Sequence, residues 1–229
     1  MMPTEAVRGG LRLEAHKERS TQEPIGRAAA PREAVLPLDQ HAGYPARPIV
    51  NVGDRVLMGQ PLAEPTSAIS AWLHAPISGH VRAIEPRPSA WLGGASALSV
   101  VIENDGEDAR TPNEPPFARF DAADPAELRT WIAKAGIVGL GGAAFPTSAK
   151  LDQGARASEL TLIVNGAECE PYISCDEMLM RERASDVVLG ARILIHALQA
   201  RECIIALEDD APLAASAMRE AIANAADDR

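Results

Sequence analysis

The chain has 229 residues, a formal net charge of −10 and a pI near 5.0, a balance that argues against a nucleic acid or a bare anionic membrane surface as partner. Apolar residues make up 46% of it but aromatics only 3%, so the expected cores are aliphatic. No apolar run approaches the ~18 residues needed to cross a bilayer, the start MMPTEAVRGG lacks the apolar centre of a secretory signal, and Cys169, Cys175 and Cys203 show no C-x-x-C spacing for zinc, an iron–sulfur cluster or a disulfide framework.

Residues 1–33 are polar and weakly patterned, which predicts an extended arm, disordered unless it docks. His16 and Lys17 within it are expected to be solvated. Residues 34–103 read as short strands broken by turns: AVLPL, PIVNVGDRVLMGQPLAEP, AWLHAPISGHVRAIEP and SALSVVIEN. Turn chemistry recurs at Val52-Gly53-Asp54, Met58-Gly59-Gln60, Pro76 and Ser78-Gly79, as in a small all-β sandwich or barrel. The halves VNVGDRVLMGQPLAE and LHAPISGHVRAIE resemble those of a biotinyl/lipoyl-like barrel-sandwich hybrid. Such a carrier attaches its group to a hairpin lysine, and no lysine occurs from residue 18 to 133, so lysine-linked carriage is not expected. His41, His74 and His80 show no third-ligand pattern and are read as turn or rim residues, with no metal assigned.

Residues 104–123, rich in Asp, Glu, Pro and Asn, read as a linker. The α/β domain, residues 124–229, opens with DPAELRTWIAKAG, a helix with Asp124 as N-cap, Pro125 at the first position, Glu127 at the third and Gly136 past its end. Gly136, Gly139, Gly141 and Gly142 then form a loop able to offer bare amides. Pro146 and Thr147 supply a helix start where the dipole favours an anion, with Lys150 within about one turn. Gly139, Gly141 and Ala144 match the loose G-x-G-x-x-A pattern, but the dinucleotide fingerprint requires a strand before it and here a helix stands there, so an ordinary Rossmann turn is rejected.

LTLIV at 160–164 reads as a buried parallel strand, ending in Asn165, Gly166, Ala167, Glu168, Cys169 and Glu170. A helix is expected from about Ser185, with Val187, Val188, Ala191, Leu194, Ile195 and Leu198 as its core stripe. ECIIAL at 202–207 reads as the next strand, ending in Glu208, Asp209 and Asp210, and an Ala-rich helix covers 211–226. This order predicts parallel pairing, with both acidic clusters at the carboxyl edge where α/β sheets bind ligands and where the glycine loop is expected to lie. Glu208 is a secondary candidate there; for Asp209 and Asp210 a helix-start role is the alternative.

GLGGAAFPTSAKL followed by LIVNGAECEPY resembles the flavin- and NADH-binding block shared by the FMN-binding flavoprotein subunit of respiratory complex I and the RnfC subunit of the Rnf/Rsx electron transport complex. The wording NGAECEPYIS is closer to the Rnf protein, and a preceding barrel-sandwich hybrid fits it too. The resemblance implies a membrane-associated NADH/ferredoxin-type oxidoreductase that couples electron transfer to ion translocation. In it FMN exchanges hydride with NAD(H), at the cytoplasmic face of the bacterial inner membrane and among other subunits of the complex. It implies cofactor contacts at Gly139, Gly141, Gly142, Phe145, Lys150, Asn165, Glu168, Glu170 and Glu208, with no separate catalytic residue. The family commonly reads G-G-A-G-F-P-T, whereas this chain has Ala144. The 4Fe-4S cluster motifs of the family's carboxyl-terminal region are not in this sequence. The expected α/β domain is therefore incomplete, and enzyme activity of this chain alone is left open. The alternative reading is a truncated, non-catalytic assembly or binding module with an empty flavin site.

Overall fold

The computed structural model describes residues 14–90, 95–112, 119–140 and 142–225. The chain divides into two compact units: residues 28–160 with 193–200, and residues 1–27, 161–192 and 201–229.

In the first of these, strands β1 (Glu33–Pro37), β2 (Arg47–Pro48), β3 (Arg55–Val56), β4 (Pro61–Glu64), β5 (Leu73–His74), β6 (Gly79–Pro88) and β7 (Ser96–Asn104) form two sheets, ordered β1-β7-β6-β3 and β2-β4-β5. All their pairings are antiparallel. Side chains alternate across each sheet, so β1 buries Ala34 and Leu36 and exposes Glu33 and Val35. The buried faces meet in one aliphatic core of Leu36, Val56, Leu62, Val81, Val100 and Ile102 among others. Two predicted turns close with bonds from Asp54 N to Asn51 O (3.1 Å) and from Gln60 N to Leu57 O (3.0 Å). Gly79 is where β6 meets β7 most closely: a Cβ there would stand 1.9 Å from the Glu103 carbonyl oxygen. The predicted linker begins fastened to this sheet structure. Met58 bridges to Arg110, and Ser78 donates to Asp105 at 2.6 Å.

The same unit carries α1 (Pro125–Lys134), β8 (Val138–Gly139), β9 (Phe145–Pro146) and α2 (Thr147–Gly154). Asp124 caps α1 as expected, accepting from the amides of Ala126 and Glu127. Leu128 and Ile132 of α1 pack with Leu151 of α2 and with Ala197, and Arg129 donates to the Ala197 carbonyl at 2.6 Å.

The other unit contains β10 (Thr161–Gly166), α3 (Cys175–Glu182), most of α4 (Ala184–Leu198), β11 (Glu202–Leu207) and α5 (Pro212–Asn224). Strands β10 and β11 pair in parallel, Ile163 opposite Ile204, as predicted. Met180, Val188, Ala214 and Met218 from the three helices form a core against Ile205 and Leu207. One expectation is corrected. The apolar run at 160–164 predicts a strand buried on both faces, yet Ile163 is 62% exposed and Ile204 49%. Among the described residues, α3, α4 and α5 gather on the face of Ile205 and Leu207, which leaves the opposite face open. No helix of the described residues is long and apolar enough to cross a membrane.

Candidate functional site

The glycine-rich segment is the tip of a short hairpin. After α1 the chain reverses at Gly136, whose φ of +68° and position, with a would-be Cβ 2.3 Å from the Trp72 carbonyl oxygen, both demand glycine. Next to it, burial pulls the His74 imidazole pKa below its ordinary value, opposed by a hydrogen bond with the Lys134 backbone. Gly139 pairs with Phe145 and Val138 with Pro146, and Thr147 N donates to Ile137 O at 3.0 Å. At the tip Leu140 is 88% exposed. Gly141, a predicted cofactor contact, lies outside the described residues. Gly142 has φ +150° with no atom within 4 Å of where a Cβ would project. The Lys150 ammonium sits 5.8 Å from the centroid of the Phe145 ring and 3.3 Å from the would-be Cβ of Gly139. A bare backbone with open space beside it, flanked by a lysine and an aromatic ring, fits a flat anionic cofactor such as FMN, whose phosphate takes amides and a cation.

Ala144 adopts φ +47° while its carbonyl accepts from Ala42 N at 3.2 Å. A methyl-bearing residue therefore occupies a left-handed position, and glycine is the residue that fits such a position without strain.

The predicted acidic residues belong to the other unit and are described within it. Strand β10 ends at Gly166, where a Cβ would meet Met180 Sδ at 2.7 Å and Ala206 O at 3.0 Å. The Asn165 side chain turns onto its own loop and accepts from Ala167 N at 3.2 Å. Glu168 is 5% exposed, and its carboxylate accepts from the Cys175 thiol (2.9 Å), Asp176 N (3.2 Å) and Glu177 N (3.4 Å). It caps α3 from a distance, in place of Ser174, whose side chain makes no capping bond. Desolvation raises the Glu168 pKa, but the thiol, the two amides and Lys17 together hold it below the ordinary value. Neighbouring Asp176 is pushed up, by burial first and then by the charges of Glu168 and Glu170. Glu168, Cys175 and Asp176 bring ligand-type atoms within 4.8 Å of one another, but the thiol proton and the helix amides already occupy the Glu168 carboxylate, and no metal site is assigned. Glu170 is exposed.

Glu208, just past β11, accepts from the Cys169 thiol, a bond that together with its charge raises that thiol's pKa. It also pairs with Lys17 at 3.4 Å. Lys17 donates in addition to the Glu168 carbonyl oxygen, and its side chain is only 11% exposed, so the expectation that it is solvated is corrected. Gly139, Gly142, Phe145 and Lys150 thus fall in one unit, and Asn165, Glu168, Glu170 and Glu208 in the other. Sequence reasoning misses Lys17, Cys175 and the whole of α3. A signal for α3 is present in Ser174-x-x-Glu177, a capping-box spacing ahead of Met178 and Met180.

Two family models match, in order along the chain: the RnfC barrel sandwich hybrid domain over residues 5–107 and the Nuo51 FMN-binding domain over residues 132–229. Similar proteins include the RnfC subunit of the ion-translocating oxidoreductase complex of Pseudomonas aeruginosa, 48% identical over 97% of this chain and 29% of the relative. Its counterpart in Vibrio cholerae is 43% identical over 93% of this chain and 27% of the relative. That of Rhodobacter capsulatus is 41% identical over 93% and 41% respectively. The chain thus spans well under half the length of these curated relatives. With a barrel sandwich hybrid followed by an FMN-binding domain, and identity at this level along nearly all of its length, the chain belongs to the RnfC family.

Proposed function

We propose that this chain forms the FMN- and NADH-handling part of a longer electron-input subunit. That subunit would serve an ion-translocating oxidoreductase complex, peripheral at the cytoplasmic face of a bacterial inner membrane and held there by the complex's other subunits. The observation that carries the reading is the hairpin tip, where Gly142 leaves open space beside bare backbone with Lys150 and Phe145 at its flank, inside a segment that matches an FMN-binding domain. Gly139, Gly141, Gly142, Phe145 and Lys150 would hold FMN. When bound, FMN supplies hydride exchange with a nicotinamide and the release of electrons one at a time.

The residues' own work is to bind and orient. Bare amides and the Lys150 ammonium answer the phosphate's charge, and Phe145 gives a flat apolar wall. On the nicotinamide side we assign the exposed Glu170 as acceptor for ribose or carboxamide hydrogens. Asn165, Glu168 and Glu208 shape its loop, since the Glu168 carboxylate is committed to α3 and Glu208 to Lys17 and Cys169. A carboxylate there disfavours a 2′-phosphate and so favours NADH over NADPH.

The test is titration of FMN with this chain, followed by quenching of flavin fluorescence. Quenching by the wild type, lost in Gly142→Val while the antiparallel sheets stay folded, is expected. Equal quenching by both would overturn the placement, and none by the wild type would favour a binding module without flavin.

A further inference from the structure

We infer that Lys17 is a positioning residue for the acidic loops, tying the loop after β10 to the residue after β11. The inference rests on the nicotinamide assignment above. It begins from the segment 14–25, whose contacts within its own unit are numerous. Tyr172 N donates to Ala15 O at 2.7 Å, Arg181 to Thr21 O at 3.3 Å, and Ile25 N to both oxygens of the Glu182 carboxylate at 3.1 Å. The His16 ring stacks on Tyr172 with centroids 4.9 Å apart and planes inclined by 21°, and the Arg19 guanidinium lies 5.9 Å from the same ring's centroid. His16 and Tyr172 hold φ of +50° and +66°, a conformation that bulky L-residues keep only where their surroundings over-determine it.

At the centre of this strap, Lys17 Nζ donates to the Glu168 carbonyl oxygen and pairs with the Glu208 carboxylate at 3.4 Å, the two side chains being 11% and 26% exposed. Glu168 and Glu208 follow the carboxyl ends of the parallel strands β10 and β11, the edge at which such sheets bind ligands. Asp176, raised by Glu168 and Glu170 as well as by burial, shows that the carboxylates here repel one another. A buried ammonium among them both offsets that repulsion and fixes the Glu168 main chain, from which Cys169 and Glu170 follow. Without it, Glu170 would be carried on a loop held at one end only.

The experiment is amide hydrogen exchange on this chain as wild type, Lys17→Met and Lys17→Arg, with NADH and FMN titrations on each. Lys17→Met is expected to speed exchange of the Tyr172, Asp176 and Glu177 amides about tenfold, with Val81 and Val100 of the antiparallel sheets unchanged and Lys17→Arg near wild type. Glu208→Gln removes the same ion pair from its other side and should loosen the same amides, which guards against a variant that fails to fold. Unchanged protection of those amides in Lys17→Met overturns the inference. NADH binding should weaken on the order of tenfold in Lys17→Met and recover in Lys17→Arg, with FMN binding unaltered. A loosened loop with unaltered NADH affinity overturns the positioning role. A wild-type chain that binds no NADH, yet loosens in Lys17→Met, keeps the clasp and refutes the nicotinamide assignment instead.

Discussion

Replacing Ala144 by glycine should stabilise the unit that carries the hairpin. Ala144 has φ +47°, and the bond from Ala42 N to its carbonyl at 3.2 Å holds it there. A left-handed L-residue costs roughly 1–2 kcal/mol, and the greater freedom of glycine in the unfolded chain takes back about 0.4–1 kcal/mol. The net gain expected for Ala144→Gly is therefore on the order of 0.5–1 kcal/mol, a rise of about 1–4 °C in midpoint for a domain of this size. Thermal unfolding followed by tryptophan emission reports on it, since Trp72 lies in this unit and its carbonyl faces the Gly136 reversal. Ala144→Val runs the argument the other way: a β-branched residue at positive φ is a worse fit, and its midpoint should fall. A glycine variant no more stable than the wild type, together with a neutral valine variant, would refute the claim that this position is strained.

Glu168→Ala removes the remote cap of α3 and should cost about 1–2 kcal/mol at neutral pH by chemical denaturation. Because the Glu168 pKa is held below its unfolded value, that difference should be full above the ordinary carboxylate range and vanish as pH falls through the lowered value; a pH-independent difference would contradict the capping role. Glu208 and Glu168 keep the Cys169 and Cys175 thiols protonated, so Glu208→Gln should speed alkylation of Cys169 and Glu168→Gln that of Cys175, as read site by site by mass spectrometry. Gly79→Ala should disrupt the β6–β7 pairing, since its Cβ would stand 1.9 Å from a carbonyl oxygen, and a variant with unchanged melting would show that the strands part there at little cost. Intact mass should equal that of the sequence apart from start-methionine processing, and a biotinyl or lipoyl increment would contradict the lysine argument.

What is legible in the sequence is local. Asp124 two and three residues from the amides it caps, Gly136 at the reversal, and the alternation in β1 are all short-range patterns, and the strand ECIIAL coincides with β11. The helix α3 escapes such a reading because its cap comes from Glu168, outside the helix, rather than from the adjacent Ser174. Lys17 escapes it because its partners lie 151 and 191 residues further on, a pairing that no window of sequence contains. The hairpin of β8 and β9 is hidden for a different reason: two residues a side is too short for any alternation to register, so only the glycines are visible. The exposure of β10 is illegible because an apolar β-branched run states what a strand could bury, and says nothing of how many helices arrive to cover it.

The pair β10 and β11 has a bearing on how this chain behaves in the tube. Each strand hydrogen-bonds to the other and to no further strand among the described residues, so each keeps a row of unpaired amides and carbonyls along its outer side. Ile163 and Ile204 stand opposite one another on the open face. A narrow sheet with free edges and an oily face is a template for another strand, and at high concentration the nearest supply is a neighbouring copy. Self-association that grows with protein concentration, seeded at these strands rather than at the antiparallel sheets, is the colloidal signature this geometry dictates.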